Sequence, residues 1–163
     1  MTITRQSPGL RARVHHLTTL LLDQIYPPRC VHCGRAGALL CPTCAQAAQP
    51  VPPPICATCG RQQTADVLHC SLCRRPEHRL TLARAAALHV EPLRTAIHHL
   101  KYEDCPEMAV PLARYLVAAF DAPCWDAVHS HLDAVISMPL HAQRLAERGY
   151  NQAEKLMIAF CRT

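Results

Sequence analysis

The sequence predicts small metal-stabilised modules followed by an α/β unit, on two observations. Four Cys-x-x-Cys pairs lie between Cys30 and Cys73: Cys30/Cys33, Cys41/Cys44, Cys56/Cys59 and Cys70/Cys73. After Cys73 the composition changes, and short apolar runs alternate with stretches of helical periodicity.

The chain opens on a loose tail over residues 1–8. Leu10, Val14, Leu17, Leu21 and Ile25 then recur at helical spacing, and Pro27 and Pro28 stop the pattern. An N-terminal helix unit is therefore expected over residues 10–28. Its polar face carries Arg11, Arg13 and two histidines, which suits a packing helix better than a membrane-surface helix.

Residues 29–75 form the cysteine segment. Two thiolate pairs of this spacing complete a tetrahedron around one metal ion, so four pairs predict two four-thiolate sites. The segment repeats: Cys30-Val31-His32-Cys33-Gly34-Arg35 matches Cys56-Ala57-Thr58-Cys59-Gly60-Arg61. The repeat assigns Cys30, Cys33, Cys41 and Cys44 to one metal and Cys56, Cys59, Cys70 and Cys73 to another. An interleaved cross-brace remains the alternative pairing. Zinc is the favoured ion, with iron in the same geometry as the alternative. A site closed by four thiolates is structural and not catalytic. Each module is too small to bury a useful core, so metal supplies much of the folding free energy, on the order of 10–16 kcal/mol per site. A stiff spacer, Pro50 to Pro54, separates the modules.

Residues 80–163 read as the opening of a parallel α/β unit. Ala83 to Val90 is a candidate buried strand. Pro92 opens a helix with Leu93, Ala96, Ile97 and Leu100 inward. A second helix runs from about Pro106 to Phe120, with Leu112, Ala113, Leu116 and Phe120 inward and Pro111 marking its true start or a kink. Residues 121–131 are expected to be a loop, and Ala134 to Met138 a second strand. A basic loop follows, with His141, Arg144, Glu147, Arg148 and Gly149. A third helix starts near Asn151 and carries Ala153, Leu156, Met157 and Phe160. Two strands do not make a stable sheet, so the unit reads as incomplete.

Composition narrows the function classes. The formal charge is +5, which invites nucleic acid. Each zinc tetrathiolate carries about −2, however, which brings the total to roughly +1. Aromatics are scarce, which argues against base-stacking platforms. No signal peptide or membrane-spanning run is evident, and the cysteine count is odd, at eleven. Reduced thiols in the cytoplasm are therefore expected in preference to disulfides. Cys105, Cys124 and Cys161 read as spare thiols, and His98-His99 and His129-x-His131 as weak metal candidates.

The order of features resembles the ComF family of double zinc ribbon, phosphoribosyltransferase-like proteins. The resemblance rests on the four Cys pairs after Tyr26-Pro27-Pro28-Arg29 and on Leu100-Lys101-Tyr102. It rests also on Met138-Pro139-Leu140-His141-x-x-Arg144-x-x-x-Arg148-Gly149-Tyr150-Asn151-Gln152-Ala153. It implies a double zinc ribbon followed by a partial type I phosphoribosyltransferase-like domain, with a cytoplasmic role linked to DNA uptake in competence. By resemblance, Leu140 to Asn151 lies near the pyrophosphate of phosphoribosyl diphosphate. Arg144, Arg148 and Asn151 then become candidate substrate contacts.

Two departures accompany the match. Ile136-Ser137-Met138-Pro139 stands where the family has a Val-Pro-Val-Pro pattern. The family's acidic pair followed by a Thr-Thr-Gly-Thr-like turn does not occur in this sequence. The expectation is a C-terminally truncated form with an incomplete donor site, inactive as a transferase by itself, with catalytic residues unassigned. Competence or DNA-processing proteins are the expected partners. The competing class is a non-catalytic zinc-ribbon adaptor binding protein or single-stranded nucleic acid; an inactive product of an interrupted gene is the third.

Overall fold

A computed structural model of the protein describes residues 26–163. The helix expected over residues 10–28 lies outside the described residues except for 26–28, which are not helical.

The cysteine modules come first and follow one plan. In each, the chain enters along a single antiparallel bridge, Arg29 with Ala36 and Ile55 with Gln62. The Cys-x-x-Cys-Gly turn is closed by the amide of Gly34 on the Cys30 carbonyl at 2.8 Å, and by Gly60 on Cys56 at 2.9 Å. The amides of Cys30 and Cys56 donate to the carbonyls of Arg35 and Arg61, both at 2.8 Å. The sequence repeat is thus a repeat of backbone hydrogen bonds. The modules differ after the turn. The first adds a short helix α1 (Pro42–Gln46) with proline in its first turn. The second closes through turns at residues 71–77.

Five further α-helices follow. Helix α2 (Leu93–Tyr102) buries Leu93, Ala96 and Leu100, as the periodicity predicts. A 3₁₀ turn (Pro106–Met108) leads into α3 (Ala109–Phe120). Pro111 lies in the first turn of α3, where its missing N–H has no intrahelical partner to lose, so it marks a start and not a kink. Residues 121–131, expected to be a loop, hold a 3₁₀ turn (Pro123–Trp125) and a one-turn helix α4 (Asp126–His129).

The expected basic loop is also helical. Helix α5 (Ala142–Arg148) is N-capped by His141, whose Nδ1 accepts from the Gln143 amide at 3.3 Å, and is closed by Gly149. Helix α6 (Gln152–Phe160) is N-capped by Asn151, whose Oδ1 accepts from the Ala153 amide at 2.9 Å, and it packs along α3.

Neither expected strand forms among the described residues. Both segments, 83–90 and 134–138, are irregular and lack a ladder partner. Ala134 to Met138 is also exposed where burial was expected, with Ile136 at 86% and Met138 at 77%. An apolar run is held as a strand by its neighbours' hydrogen bonds, and none is present here.

One buried cluster joins the first module to the helices: Cys30, Leu40, Cys41 and Cys44 with Leu93, Ala96, Leu100, Met108, Ala109, Leu112 and Tyr150. Tyr115 of α3 donates its hydroxyl to the Ala45 carbonyl at 2.7 Å, and the Leu88 amide donates to Gln49 at 2.8 Å. The second module is held differently. The Ala83 amide donates to Thr58 at 2.8 Å, and the Arg84 guanidinium donates to the carbonyls of Ala57 at 2.8 Å and Thr58 at 3.3 Å. No helix of the described residues is long and apolar enough to cross a membrane.

Candidate metal centres and a basic cleft

The repeat brings the eight cysteines into two sequential quartets. In each, Cys30/Cys33/Cys41/Cys44 and Cys56/Cys59/Cys70/Cys73, the four sulfurs lie within 4.8 Å of one another. The interleaved alternative does not occur. The knuckle turn and the second Cys pair converge directly: the Cys41 amide donates to Cys30 Sγ at 3.4 Å, and the Cys70 amide to Cys56 Sγ at 3.3 Å. Across each quartet, Cys33 Sγ stands 3.6 Å from Cys41 Sγ and Cys59 Sγ 3.8 Å from Cys70 Sγ.

These amides set the thiol acidities. Burial pushes the Cys30 thiol up, but the amides of Cys41, Cys33 and His32 outweigh it and bring it down to about 6. The amides of Cys59 and Cys70 hold Cys56 down at about 5. Those of Cys44 and Cys73 likewise lower Cys41 and Cys70. Burial pushes Cys44 and Cys73 up to about 12. Each quartet therefore has two thiols made more acidic by backbone amides before metal arrives and one that burial holds against ionisation. Four sulfurs at this spacing, with amide donors on two of them, are what a tetrahedral zinc ion requires, and each quartet could hold one. Neither site has an open position for a substrate.

The residues the resemblance pointed to sit elsewhere, around a cleft of about 470 Å³ lined by Lys101, Tyr102, Asp104, Arg144, Glu147 and Arg148. The end of α2 forms one wall and α5 the other. Arg144 pairs with Glu147 at 2.8 Å on the surface. Arg148 lies over the Tyr102 ring, 5.1 Å from its centroid, and donates to Gln152 Oε1. Asn151 lies outside the cleft lining: it caps α6 and donates from Nδ2 to the Met138 carbonyl at 3.0 Å. The Tyr150 hydroxyl donates to the Leu100 carbonyl and so ties the α5–α6 turn to the end of α2. The structure thus brings the two arginines together, joins Lys101 to them, and gives Asn151 a capping role.

Sequence reasoning missed the residues that attach the modules, Arg84 and Tyr115, because no local pattern marks a long-range contact to a carbonyl. Glu91, at the start of α2, accepts from Thr95 Oγ1 at 2.6 Å and from the Thr95 amide at 3.3 Å. Glu91 also lies 3.4 Å from His32. Hydrogen bonding from Thr95 holds its carboxyl below the usual range. His98-His99 and His129-x-His131 enter no metal-binding cluster among the described residues.

Fold and donor set together define a class, a zinc-ribbon protein with two closed tetrathiolate centres and an attached helical unit. Residues 21–76 match the family model described as a double zinc ribbon domain. The chain is 30% identical over 136 residues to Competence protein F of Haemophilus influenzae, covering 78% of this chain and 57% of that protein. It is also 30% identical over 127 residues to the DNA utilization protein YhgH of Escherichia coli O6:H1, covering 72% of this chain and 51% of the relative. The same figures hold for YhgH of Escherichia coli O157:H7. The double zinc ribbon and these relatives together support a ComF-family assignment. It spans about half the length of the curated relatives it matches. No solved structure gives a significant match.

Proposed function

We propose that the chain is the zinc-ordered part of a protein acting in DNA uptake or DNA utilisation. In this reading, residues 29–75 are a double zinc ribbon, with Cys30, Cys33, Cys41 and Cys44 holding one zinc and Cys56, Cys59, Cys70 and Cys73 the other. Residues 80–163 supply part of a phosphoribosyltransferase-like domain. The observation that carries the reading is the cleft, which sets Lys101, Arg144 and Arg148 on facing walls. Three cations against Asp104 and Glu147 suit the diphosphate end of phosphoribosyl diphosphate. Arg148 is held in place by Tyr102 and Gln152, so it approaches an anion already oriented. Asn151 acts by shaping the turn. The ribose and its 5′-phosphate require the acidic-pair loop that this sequence does not contain, so the chain does not catalyse transfer by itself.

The test is titration of the zinc-loaded chain with inorganic pyrophosphate, followed through the guanidinium resonances of Arg144 and Arg148. Both are expected to shift together, with the shift weakening at high salt. Unmoved resonances at millimolar pyrophosphate refute the cleft assignment, and release of pyrophosphate from phosphoribosyl diphosphate by this chain alone refutes its inactivity.

One observation favours the alternative, a non-catalytic adaptor for single-stranded nucleic acid. The ribbons expose Arg29, Arg35, Arg61, Arg74 and Arg75. Affinity for an oligonucleotide that falls linearly on a log–log plot against salt supports this reading; salt-independent binding or none removes it.

A further inference from the structure

The two quartets are covered in different ways. In the first, the last ligand, Cys44, is buried on α1 against the helices; the neighbouring Ala45 carbonyl accepts the Tyr115 hydroxyl. Its counterpart Cys73 is only half-buried and lies in a turn. What lies on Cys73 is an imidazole: His78 Nε2 stands 3.3 Å from Cys73 Sγ.

Three features mark this contact as built. Residues 74–77, 79 and 80 are exposed, and His78 alone among 74–80 is half-buried. Consecutive turns deliver the ring: the Arg74 amide donates to Cys70 at 3.2 Å, Arg75 to Leu72 at 3.3 Å and His78 to Arg75 at 3.1 Å. His78 also stays outside the group of donors that lie within mutual reach of one metal, so it neighbours the quartet without joining it. Cys56 and Cys70 receive backbone amides, whereas Cys73 receives the ring.

We propose that His78 donates its Nε2–H to the zinc-bound thiolate of Cys73 and shields that sulfur from electrophiles and oxidants. A zinc tetrathiolate carries a surplus of negative charge, and a sulfur within reach of solvent is open to attack. Cys59 is half-buried as Cys73 is, and it is Cys73 that has the imidazole against it. An N–H···S bond draws charge from that sulfur, and the ring covers its open side. Partners beyond the ligands tune metal sites in this way.

The inference rests on the second quartet holding zinc, which the metal content of the same samples reports separately. The experiment compares the full chain, zinc-loaded, with His78→Ala and His78→Gln variants. Zinc release under N-ethylmaleimide is followed with a chromogenic chelator, and the alkylated cysteines are identified by mass spectrometry. In His78→Ala, alkylation of Cys73 and release of the second zinc are expected to accelerate about tenfold, with release from the first site unchanged. In His78→Gln, whose amide N–H replaces the donor, most of the protection should return. In the wild type, imidazole ¹⁵N spectra should show the proton on Nε2. Two zinc ions with unaltered Cys73 reactivity in His78→Ala, or an Nε2 bonded to metal, overturns the proposal. Fewer than two zinc ions in the wild type instead overturns the zinc reading beneath it.

Discussion

Gly34 and Gly60 occupy the same place in the two modules and adopt the same left-handed backbone, with φ of 73° and 68°. An alanine at either site carries the steric cost of that conformation, about 1–2 kcal/mol. Their surroundings differ. A Cβ on Gly34 meets nothing within 4 Å, whereas one on Gly60 meets the Ala83 carbonyl oxygen at 2.9 Å. That oxygen is backbone and cannot rotate aside. Moving it disturbs the Ala83 amide on Thr58 and the Arg84 guanidinium on Ala83 at 2.7 Å and Ala57 at 2.8 Å. Losing one or two such bonds costs about 1 kcal/mol each. Gly34→Ala is therefore expected to cost about 1–2 kcal/mol, and Gly60→Ala about 2–4 kcal/mol. At roughly 2–4 °C per kcal/mol, the two melting temperatures should separate by several degrees. The assay is thermal unfolding of both variants at one buffered free-zinc concentration, because bound metal adds to apparent stability. Equal losses, or a larger loss for Gly34→Ala, would refute the docking of residues 83–84 on the second module.

Chelation of zinc should lower helical circular dichroism as well as unfold the modules, because Cys30, Leu40, Cys41 and Cys44 share a buried cluster with α2 and α3. Unchanged helicity after removal of both ions would show that the helices stand alone. Tyr115→Phe should cost about 1 kcal/mol in urea unfolding by deleting the bond to the Ala45 carbonyl; no change would mean that water replaces it. Acid should release both ions. Protons compete with the metal for its thiolates. In the metal-free chain the Cys30 and Cys56 thiols, lowered to about 6 and about 5, contribute stability that is complete above their ordinary value of 9.0 and lost as pH falls through the lowered values. Zinc content that does not fall with acid, read with a chromogenic indicator, would contradict thiolate ligation.

The parts of the fold legible in the sequence were those whose partners lie close along the chain. The Cys-Gly-Arg repeat announced two sequential quartets, and the periodicities after Pro92, from about Pro106 to Phe120 and from near Asn151 announced the three helices found at 93–102, 109–120 and 152–160. Helix α5 was missed although its signals were present: Ala-Gln-Arg-Leu-Ala-Glu-Arg is a run of helix formers between His141 and Gly149. Its arginines and the preceding Pro139 drew attention to charge instead. The segments 83–90 and 134–138 have apolar strand composition, but strand formation depends on a neighbour that composition does not reveal. Asn151 entered as a candidate substrate contact through the family resemblance; its capping role at α6 was legible too, since asparagine is a favoured residue before a helix.

The unequal attachment of the modules bears on how metal reaches the cleft. From the first quartet a continuous path runs through Cys30 and Cys44 to Leu93 and Leu100 in one buried cluster. It passes from the Leu100 carbonyl through the Tyr150 hydroxyl to the turn that follows α5. Arg148 and Tyr102 lie at the far end of that path, against each other. Among the described residues the second quartet lies outside that buried cluster, and the clasp of Ala83 and Arg84 on Ala57 and Thr58 holds its module. Loss of the first zinc should therefore widen the spacing between α2 and α5, and loss of the second should leave it unchanged. Cys44→Ser and Cys73→Ser separate the two cases. With the Arg148 guanidinium resonance as reporter, the first substitution is expected to erase its ring-current shift from Tyr102 and the second to preserve it. Preservation in both would mean that the helices set the cleft without help from the metal.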